Sequence, residues 1–273
     1  MTESRPVTLV AIDGPSLNFN LSKKAHSLQL RGRDLPKNSG RPRLRLDYLK
    51  LADLLASQDD EKDIVINYYT AQREPTPSDF EMGKVVSFKL EEGRGFIAGA
   101  RGGHFEFNSN DVMQSDRQKL FKQIVNFELH DLDDERAVNI QVVSGASVDN
   151  YYRLRREFYF NMLRESGYQI VRCRPSRNPS PGNKAKSVDC RIYYDALDNL
   201  SDEIDQFVLL SDDPNFSFLI QGLAGYGIVV TLATFDTAAS RELRDVVKSV
   251  GGEVILLDRH LMDIQLEVET VAV

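Results

Sequence analysis

The chain has 273 residues, 41% of them hydrophobic, which is enough for one large or two modest globular domains. No apolar stretch reaches the roughly 18 residues of a membrane-spanning helix and no signal pattern opens the chain, so we expect a cytoplasmic protein without a membrane partner. Four scattered histidines and two cysteines argue against a histidine-built metal site, a catalytic triad and a disulfide framework.

The first predicted strand covers residues 7–12 and ends at Asp13, which Gly-Pro follows at once. A short apolar run that ends in an acid and a turn is typical of a buried parallel strand, and its acid then lies at the carboxyl edge of the sheet, where α/β proteins bind ligands. We predict a long basic loop next, then a helix near residues 44–57 and a strand at 63–69. This is the opening of a βαβ fold.

Residues 79–143 have a different character, with short alternating segments, many glycines and no long helical pattern. The sequence Gly-Arg-Gly-Phe-Ile at 93–97 and the strand-like segments around it resemble a cold-shock domain, which is a five-stranded OB-type barrel. The resemblance implies that this insert binds single-stranded RNA by stacking and phosphate contacts. The implied contact residues are Phe88, Arg94, Phe96, Phe105 and Phe107. A barrel kept for protein contacts or for structure is the alternative.

Helical and strand patterns alternate again after the insert, as in an α/β domain. The predicted elements are a helix from about 148 to 167, strands at 168–173, 206–211, 227–233 and 253–257, and helices at 188–199, from 214 and at 237–249. We therefore predict a parallel sheet flanked by helices, formed by residues 1–78 and 144–273 and interrupted by the small all-β insert at 79–143. The tail from residue 261 either extends the sheet or pairs in a homodimer.

The strand at 206–211 repeats the construction seen at Asp13, because Ser-Asp-Asp-Pro-Asn follows it and includes Asp213. Two acids at one sheet edge suggest a divalent-metal site. Although the net charge is −7, basic residues are concentrated in two stretches that follow predicted strands. We interpret them as phosphate-binding residues rather than as solvated loops: Lys23, Lys24, Arg41, Arg43, Arg174, Arg177, Lys184 and Lys186.

Three segments, 12–17, 186–197 and 210–216, occur in the order found in a NYN domain, and outside the insert this resemblance covers nearly the whole chain. NYN domains belong to the PIN-like metal-dependent ribonucleases. The resemblance implies a Mg²⁺ or Mn²⁺ site with a catalytic role for Asp13, Asp189 and Asp213. It also places Asp195 and Asn215 among the metal-binding positions, and Ser16 beside the substrate phosphate.

The sequence thus predicts a ribonuclease that hydrolyses RNA, with DNA not excluded, through an aspartate-bound Mg²⁺ or Mn²⁺. The alternative on the same fold is a catalytically weak or inactive RNA-binding or scaffold protein. A phosphohydrolase that acts on a small nucleotide is a third interpretation.

Overall fold

A computed structural model describes residues 7–30, 37–38, 41–42, 46–56, 63–78, 80–89, 91–131, 133–174, 186–202, 204–237 and 239–265. The helices and strands are, in chain order, β1 (Val7–Asp13), α1 (Gly14–Leu30), β2 (Lys37–Asn38), β3 (Arg41–Pro42), α2 (Tyr48–Ala56), β4 (Asp63–Thr70), β5 (Glu81–Lys89), β6 (Arg94–Gly99), β7 (His104–Asn108), β8 (Ile124–His130), β9 (Asp133–Val142), α3 (Ala146–Glu165), β10 (Tyr168–Arg172), α4 (Lys186–Asp198), β11 (Ile204–Leu210), α5 (Ser217–Gly225), β12 (Val229–Thr234), α6 (Ala239–Ser249), β13 (Glu253–Leu256) and α7 (Leu257–Ile264).

Six parallel strands form the main sheet in the order β10-β4-β1-β11-β12-β13. Nearly every residue of β1 is buried, because helices cover both faces of such a sheet. From β1 the chain crosses to β4 on one side, whereas β11 leads to β12 on the other side. The carboxyl ends of β1 and β11 therefore lie at a topological switch point, where open α/β sheets bind ligands. This confirms the predicted parallel sheet flanked by helices.

One face of the sheet packs against α4, α5 and α6 in a single apolar cluster, which includes Leu9, Ala11, Val188, Ile192, Phe207, Leu209, Leu219, Leu223 and Leu243. Side chains alternate between the two faces along a strand. The side chain of Asp13 therefore lies on the same face of the sheet as Leu9 and Ala11, which is the face that α4 covers.

The insert is a closed barrel of strands in the order β5-β6-β7-β9-β8. Its interior is filled by aliphatic and aromatic side chains, among them Val85, Ile97, Phe107 and Phe127. A Cβ atom on Gly95 would lie 2.4 Å from Cζ of Phe107, so the second glycine of the Gly-Arg-Gly-Phe-Ile segment lets β6 approach this ring. The barrel is consistent with the predicted OB-like insert.

By its internal contacts the chain separates into two compact units, Met1–Gln72 with Leu163–Val273, and Arg73–Met162. The second unit holds the barrel and most of α3. Tyr151 and Leu154 of that helix pack with Met82 and Ile124 of the barrel. The predicted domain limits at residues 79 and 143 stay a prediction.

One sequence prediction about local structure is wrong, and one alternative of a second is wrong for residues 261–264, whereas pairing of the tail in a homodimer stays a prediction. The segment after β1 is the helix α1 rather than a basic loop, because Leu17, Leu21 and Ala25 recur every fourth residue and are buried. The tail does not extend the sheet at 261–264, where Leu261 and Ile264 are buried on α7. Residues 266–273 lie outside the described part of the chain. None of the described helices is long and apolar enough to cross a membrane.

Candidate active site

Asp13 is the last residue of the central strand β1 and is only 2% exposed. Its Oδ1 accepts a hydrogen bond of 3.1 Å from the backbone N–H of Ser16, and its Oδ2 accepts one of 3.0 Å from the hydroxyl of Ser211. Its pKa is raised to about 6, mainly because burial desolvates the charged form and in smaller part by the negative charges of Asp213 and Asp212, whereas the two hydrogen bonds lower it. The two hydrogen bonds thus fix the orientation of the carboxylate, but both come from uncharged donors and leave its negative charge uncompensated.

Asp189 lies in the first turn of α4 and is also buried, at 9% exposure. Its Oδ1 is enclosed and has no hydrogen-bond partner among the residues that the structure describes. Burial raises its pKa to about 7, and the charges of Asp13 and Asp213 add to this shift. An enclosed carboxylate oxygen without a donor is costly, so a cation or a donor from a ligand would stabilise it.

Asp213 begins the 3-10 turn of residues 214–216, where its side chain accepts a 2.9 Å hydrogen bond from the backbone N–H of Asn215. Its own backbone N–H donates to the Ser211 hydroxyl over 3.2 Å. Ser211 therefore connects Asp13 with Asp213. We call Asp13, Asp189 and Asp213 the carboxylate centre.

Tyr193 holds this 3-10 turn against α4. Its hydroxyl donates a 2.6 Å hydrogen bond to the backbone carbonyl of Asn215, and its ring stacks on Phe216 with 5.8 Å between centroids. Asn215 contributes through its backbone, whereas its side chain is exposed. Sequence analysis missed Tyr193, although it stands four residues after Asp189 and so lies on the same face of the helix.

The side chains of Asp212 and Ser16 interact with each other. The Ser16 hydroxyl donates to the Asp212 carboxylate, and the second carboxylate oxygen accepts from the hydroxyl of Thr237 over 3.5 Å. Asp212 thereby ties α1 to the segment after β12. The Ser16 hydroxyl, predicted as a phosphate donor, is already used in this interaction.

Asp195 occupies a separate polar cluster on α4. Its Oδ1 forms a 2.7 Å ion pair with Nε of Arg191, one turn earlier. Tyr69 and Cys173 lie close to it: burial raises the pKa of both, and the charge of Asp195 adds to each shift. Asp195 is thus paired with a cation of its own helix, and its role as a metal-binding residue stays a prediction.

The donor set of the carboxylate centre fits a hard divalent cation. Among the described residues, no lysine or arginine forms an ion pair with any of the three aspartates. In the same part of the chain, no three His, Cys, Asp or Glu side chains are grouped so that together they could hold a metal ion. Mg²⁺ requires fewer protein ligands than that, since it usually keeps several waters and takes one or two carboxylates besides substrate phosphates.

The predicted basic residues fall into three groups. Lys23 and Arg174 are exposed, at α1 and just after β10, whereas Lys24 is ion-paired with Asp258 of α7. Arg41 and Lys186 belong to β3 and α4, but their side chains are outside the described part. Arg43, Arg177 and Lys184 lie outside the described residues altogether.

The barrel exposes only some of the predicted base-contact residues. Arg94 and Phe96 of β6 are exposed, and Phe88 and Phe105 are half-buried against the barrel core. Phe107 is fully buried and stacks on Phe88 with 5.6 Å between ring centroids. The prediction that Phe107 contacts bases is wrong, because its inward position on β7 makes it a core residue.

Comparisons with known proteins identify a family and a distantly similar solved structure. A crystal structure of a protein of unknown function from Vibrio parahaemolyticus is similar over 97% of this chain and 99% of that one, with 14% identity and a TM-score of 0.47. No curated protein matches the chain. The family model of the NYN domain matches residues 107–250, a range that contains Asp189 and Asp213 and begins after Asp13. Since this range is more than half of the 273 residues, the chain belongs to the NYN domain family, whose fold is that of PIN-like nucleases.

Proposed function

We propose that the chain is a ribonuclease that hydrolyses RNA phosphodiester bonds at the carboxylate centre with Mg²⁺ or Mn²⁺ bound there. The observation that carries the proposal is the pair Asp13 and Asp189. Both are buried, the charge of Asp13 raises the pKa of Asp189, and an enclosed oxygen of Asp189 has no donor. Buried groups with perturbed pKa values in a ligand-binding crevice are typical of functional sites.

Each residue of the centre has a distinct task in this proposal. Asp13 and Asp189 would hold the cation, and Ser211 and the Ser16 N–H keep Asp13 in one orientation. When bound, the cation lowers the pKa of a coordinated water and neutralises charge on the phosphate oxygens. The backbone N–H of Asn215 fixes the Asp213 side chain, which would orient the attacking water by accepting a hydrogen bond from it.

Single-stranded RNA is the substrate that the exposed groups support. Lys23 on α1 and Arg174 just after β10 supply exposed positive charge, and Arg94 and Phe96 offer a guanidinium and an aromatic ring on the barrel. Positive groups bind the phosphate backbone, and aromatic rings stack on bases whatever their sequence.

A catalytically weak RNA-binding protein is the second candidate. Two observations favour it: Asn215 brings no charge to a position that the family resemblance assigns to a metal ligand, and no three His, Cys, Asp or Glu side chains among the described residues are grouped so that they could hold a metal ion. This candidate predicts RNA binding without Mn²⁺-dependent cleavage.

Cleavage of single-stranded and structured RNA with Mn²⁺ separates the two candidates. We expect wild type to cleave and Asp13→Asn and Asp213→Asn to be slower by on the order of 100-fold or more, because each removes charge that stabilises the reacting phosphate. Asp245→Asn is the matched control, since Asp245 is exposed on α6, and it should cleave like wild type.

Equal cleavage by wild type and both variants of the carboxylate centre contradicts the proposal. If wild type and all the variants bind RNA but none of them cleaves it, the second candidate is established instead. Turnover of mononucleotides but not of oligomers indicates a small-nucleotide phosphohydrolase.

Tyr193→Phe tests how the carboxylate centre is positioned. The change removes the hydroxyl that holds the carbonyl of Asn215 but keeps the ring that stacks on Phe216. We expect kcat to fall by about 2- to 10-fold, as for the loss of one hydrogen bond, with KM little changed. Tyr194→Phe is the control, because Tyr194 is its exposed neighbour. Equal kcat values for the two variants would show that Tyr193 does not position the site.

A further inference from the structure

Helix α1 carries an exposed aromatic ring beside an exposed ammonium group. Phe19 is 57% exposed, and Nζ of Lys23 lies 4.3 Å from the centroid of its ring. The opposite side of the helix is apolar and buried through Leu17, Leu21 and Ala25. Burial in the core therefore does not explain Phe19.

Ser16 connects the Phe19–Lys23 pair with the carboxylate centre along α1. Ser16 bonds Asp13 through its backbone and Asp212 through its hydroxyl. Residues at i, i+3 and i+7 share one helix face, so Ser16, Phe19 and Lys23 form one line along α1. At about 1.5 Å per residue, Phe19 lies about 4.5 Å and Lys23 about 10 Å from Ser16 along the helix axis.

Lys23 differs from its neighbour in being available to a ligand. Lys24 is ion-paired with Asp258, whereas the structure gives Lys23 no carboxylate partner within the described ranges. A free ammonium group is a point charge suited to a phosphate.

We propose that Phe19 and Lys23 form a nucleotide subsite for single-stranded RNA next to the carboxylate centre. Phe19 stacks on one base of the strand, and Lys23 leaves the ring to bind a phosphate of the same strand. The subsite rests on the proposed function, because the strand it holds is the one cleaved at the carboxylate centre. Aromatic stacking is tolerant of base identity, so the subsite places the strand without selecting a sequence.

The test is fluorescence anisotropy of a short single-stranded RNA oligomer with the whole chain in EDTA, where binding is measured without cleavage. We expect Phe19→Ala to weaken binding by about 5- to 150-fold, the range measured for loss of one stacking platform, and Phe19→Trp to restore it. Tyr226→Ala is the matched control, because Tyr226 is 74% exposed where α5 ends, at the opposite edge of the sheet.

The lysine has its own measurement and control. Lys23→Gln should reduce the slope of log affinity against log salt by about 0.7, the value for one phosphate contact on a single strand. Lys248→Gln, near the end of α6, should leave the slope unchanged. Circular dichroism checks that each variant is folded.

Equal affinities of Phe19→Ala and Tyr226→Ala overturn the subsite, and so does an absence of RNA binding by wild type. Binding that depends on Phe19 without any cleavage in Mn²⁺ overturns the ribonuclease activity but leaves the subsite standing. Mn²⁺-dependent cleavage that is as fast in Phe19→Ala as in wild type overturns the subsite but leaves the ribonuclease activity standing.

Discussion

Asp189→Asn is expected to abolish RNA cleavage and, in the metal-free protein near pH 8, to increase the free energy of unfolding by about 1–3 kcal/mol. The two effects have one cause. Asp189 is a buried carboxylate whose Oδ1 has no donor within the described part of the chain, so its charge destabilises the fold unless a cation is bound there, as we propose. Asparagine has nearly the same shape and carries no charge.

The sign of the pH dependence follows from the raised pKa. Burial raises the pKa of Asp189 from 3.8 to about 7, so between these values the folded state binds more protons than the unfolded state. Stability from this group is fully present below about pH 4 and is lost as the pH rises towards 7. The increase in the free energy of unfolding caused by Asp189→Asn should therefore be small in acid and largest above neutral pH. Urea unfolding in EDTA at several pH values measures it.

Manganese should act on stability in the opposite direction. A cation that binds only the folded wild type stabilises it, by about 2.7 kcal/mol at a hundredfold excess over Kd. Asp189→Asn lacks one of the ligands of the cation, so Mn²⁺ should stabilise this variant much less than it stabilises wild type. Asp245→Asn serves as the control, because Asp245 is exposed, and it should respond to Mn²⁺ as wild type does. A Mn²⁺-induced shift in Tm as large in Asp189→Asn as in wild type would show that the cation does not bind at Asp189.

The sheet and its acids could be predicted from the sequence because buried parallel strands have an unmistakable pattern. The apolar run of β1 and that of β11 each end at the carboxyl edge, so the meeting of Asp13 and Asp213 follows from topology. Asp189 was placed beside them by family resemblance, since its position on α4 has no such periodic signal. Its burial and its unpaired oxygen confirm that it lies within the fold's interior.

The sequence did not reveal which neighbouring polar groups are already paired. Asp195 resembles a metal ligand, but the i, i+4 spacing of Arg191 was a local signal for an ion pair. Ser16 and Asp212 bond across residues that are distant in the chain, and no local pattern records such a contact. Helix α1 was missed for a different reason: its two lysines and three serines gave it a loop-like composition, whereas the four-residue spacing of the buried Leu17, Leu21 and Ala25 is typical of a helix.

Gly14→Ala is expected to destabilise the fold by about 2–3 kcal/mol and to lower cleavage strongly. A Cβ at position 14 would lie 2.6 Å from Cε1 and Cζ of Tyr68 and 2.6 Å from the backbone oxygen of Tyr69. Both tyrosines are fully buried, and the residue paired with Tyr69 in the sheet is Asp13 itself. The methyl group must therefore push β1 and β4 apart at the point where Asp13 is held.

Gly222→Ala is the matched control, since Gly222 lies inside α5 and a Cβ there would meet no heavy atom within 4 Å. Alanine favours helix over glycine, so this variant should be more stable than wild type by about 0.5–1 kcal/mol, with cleavage unchanged. Urea unfolding and Mn²⁺-dependent cleavage measure both variants. If Gly14→Ala is as stable and as active as Gly222→Ala, the turn after β1 does not need glycine, and the close approach of Gly14 to β4 is not what positions Asp13.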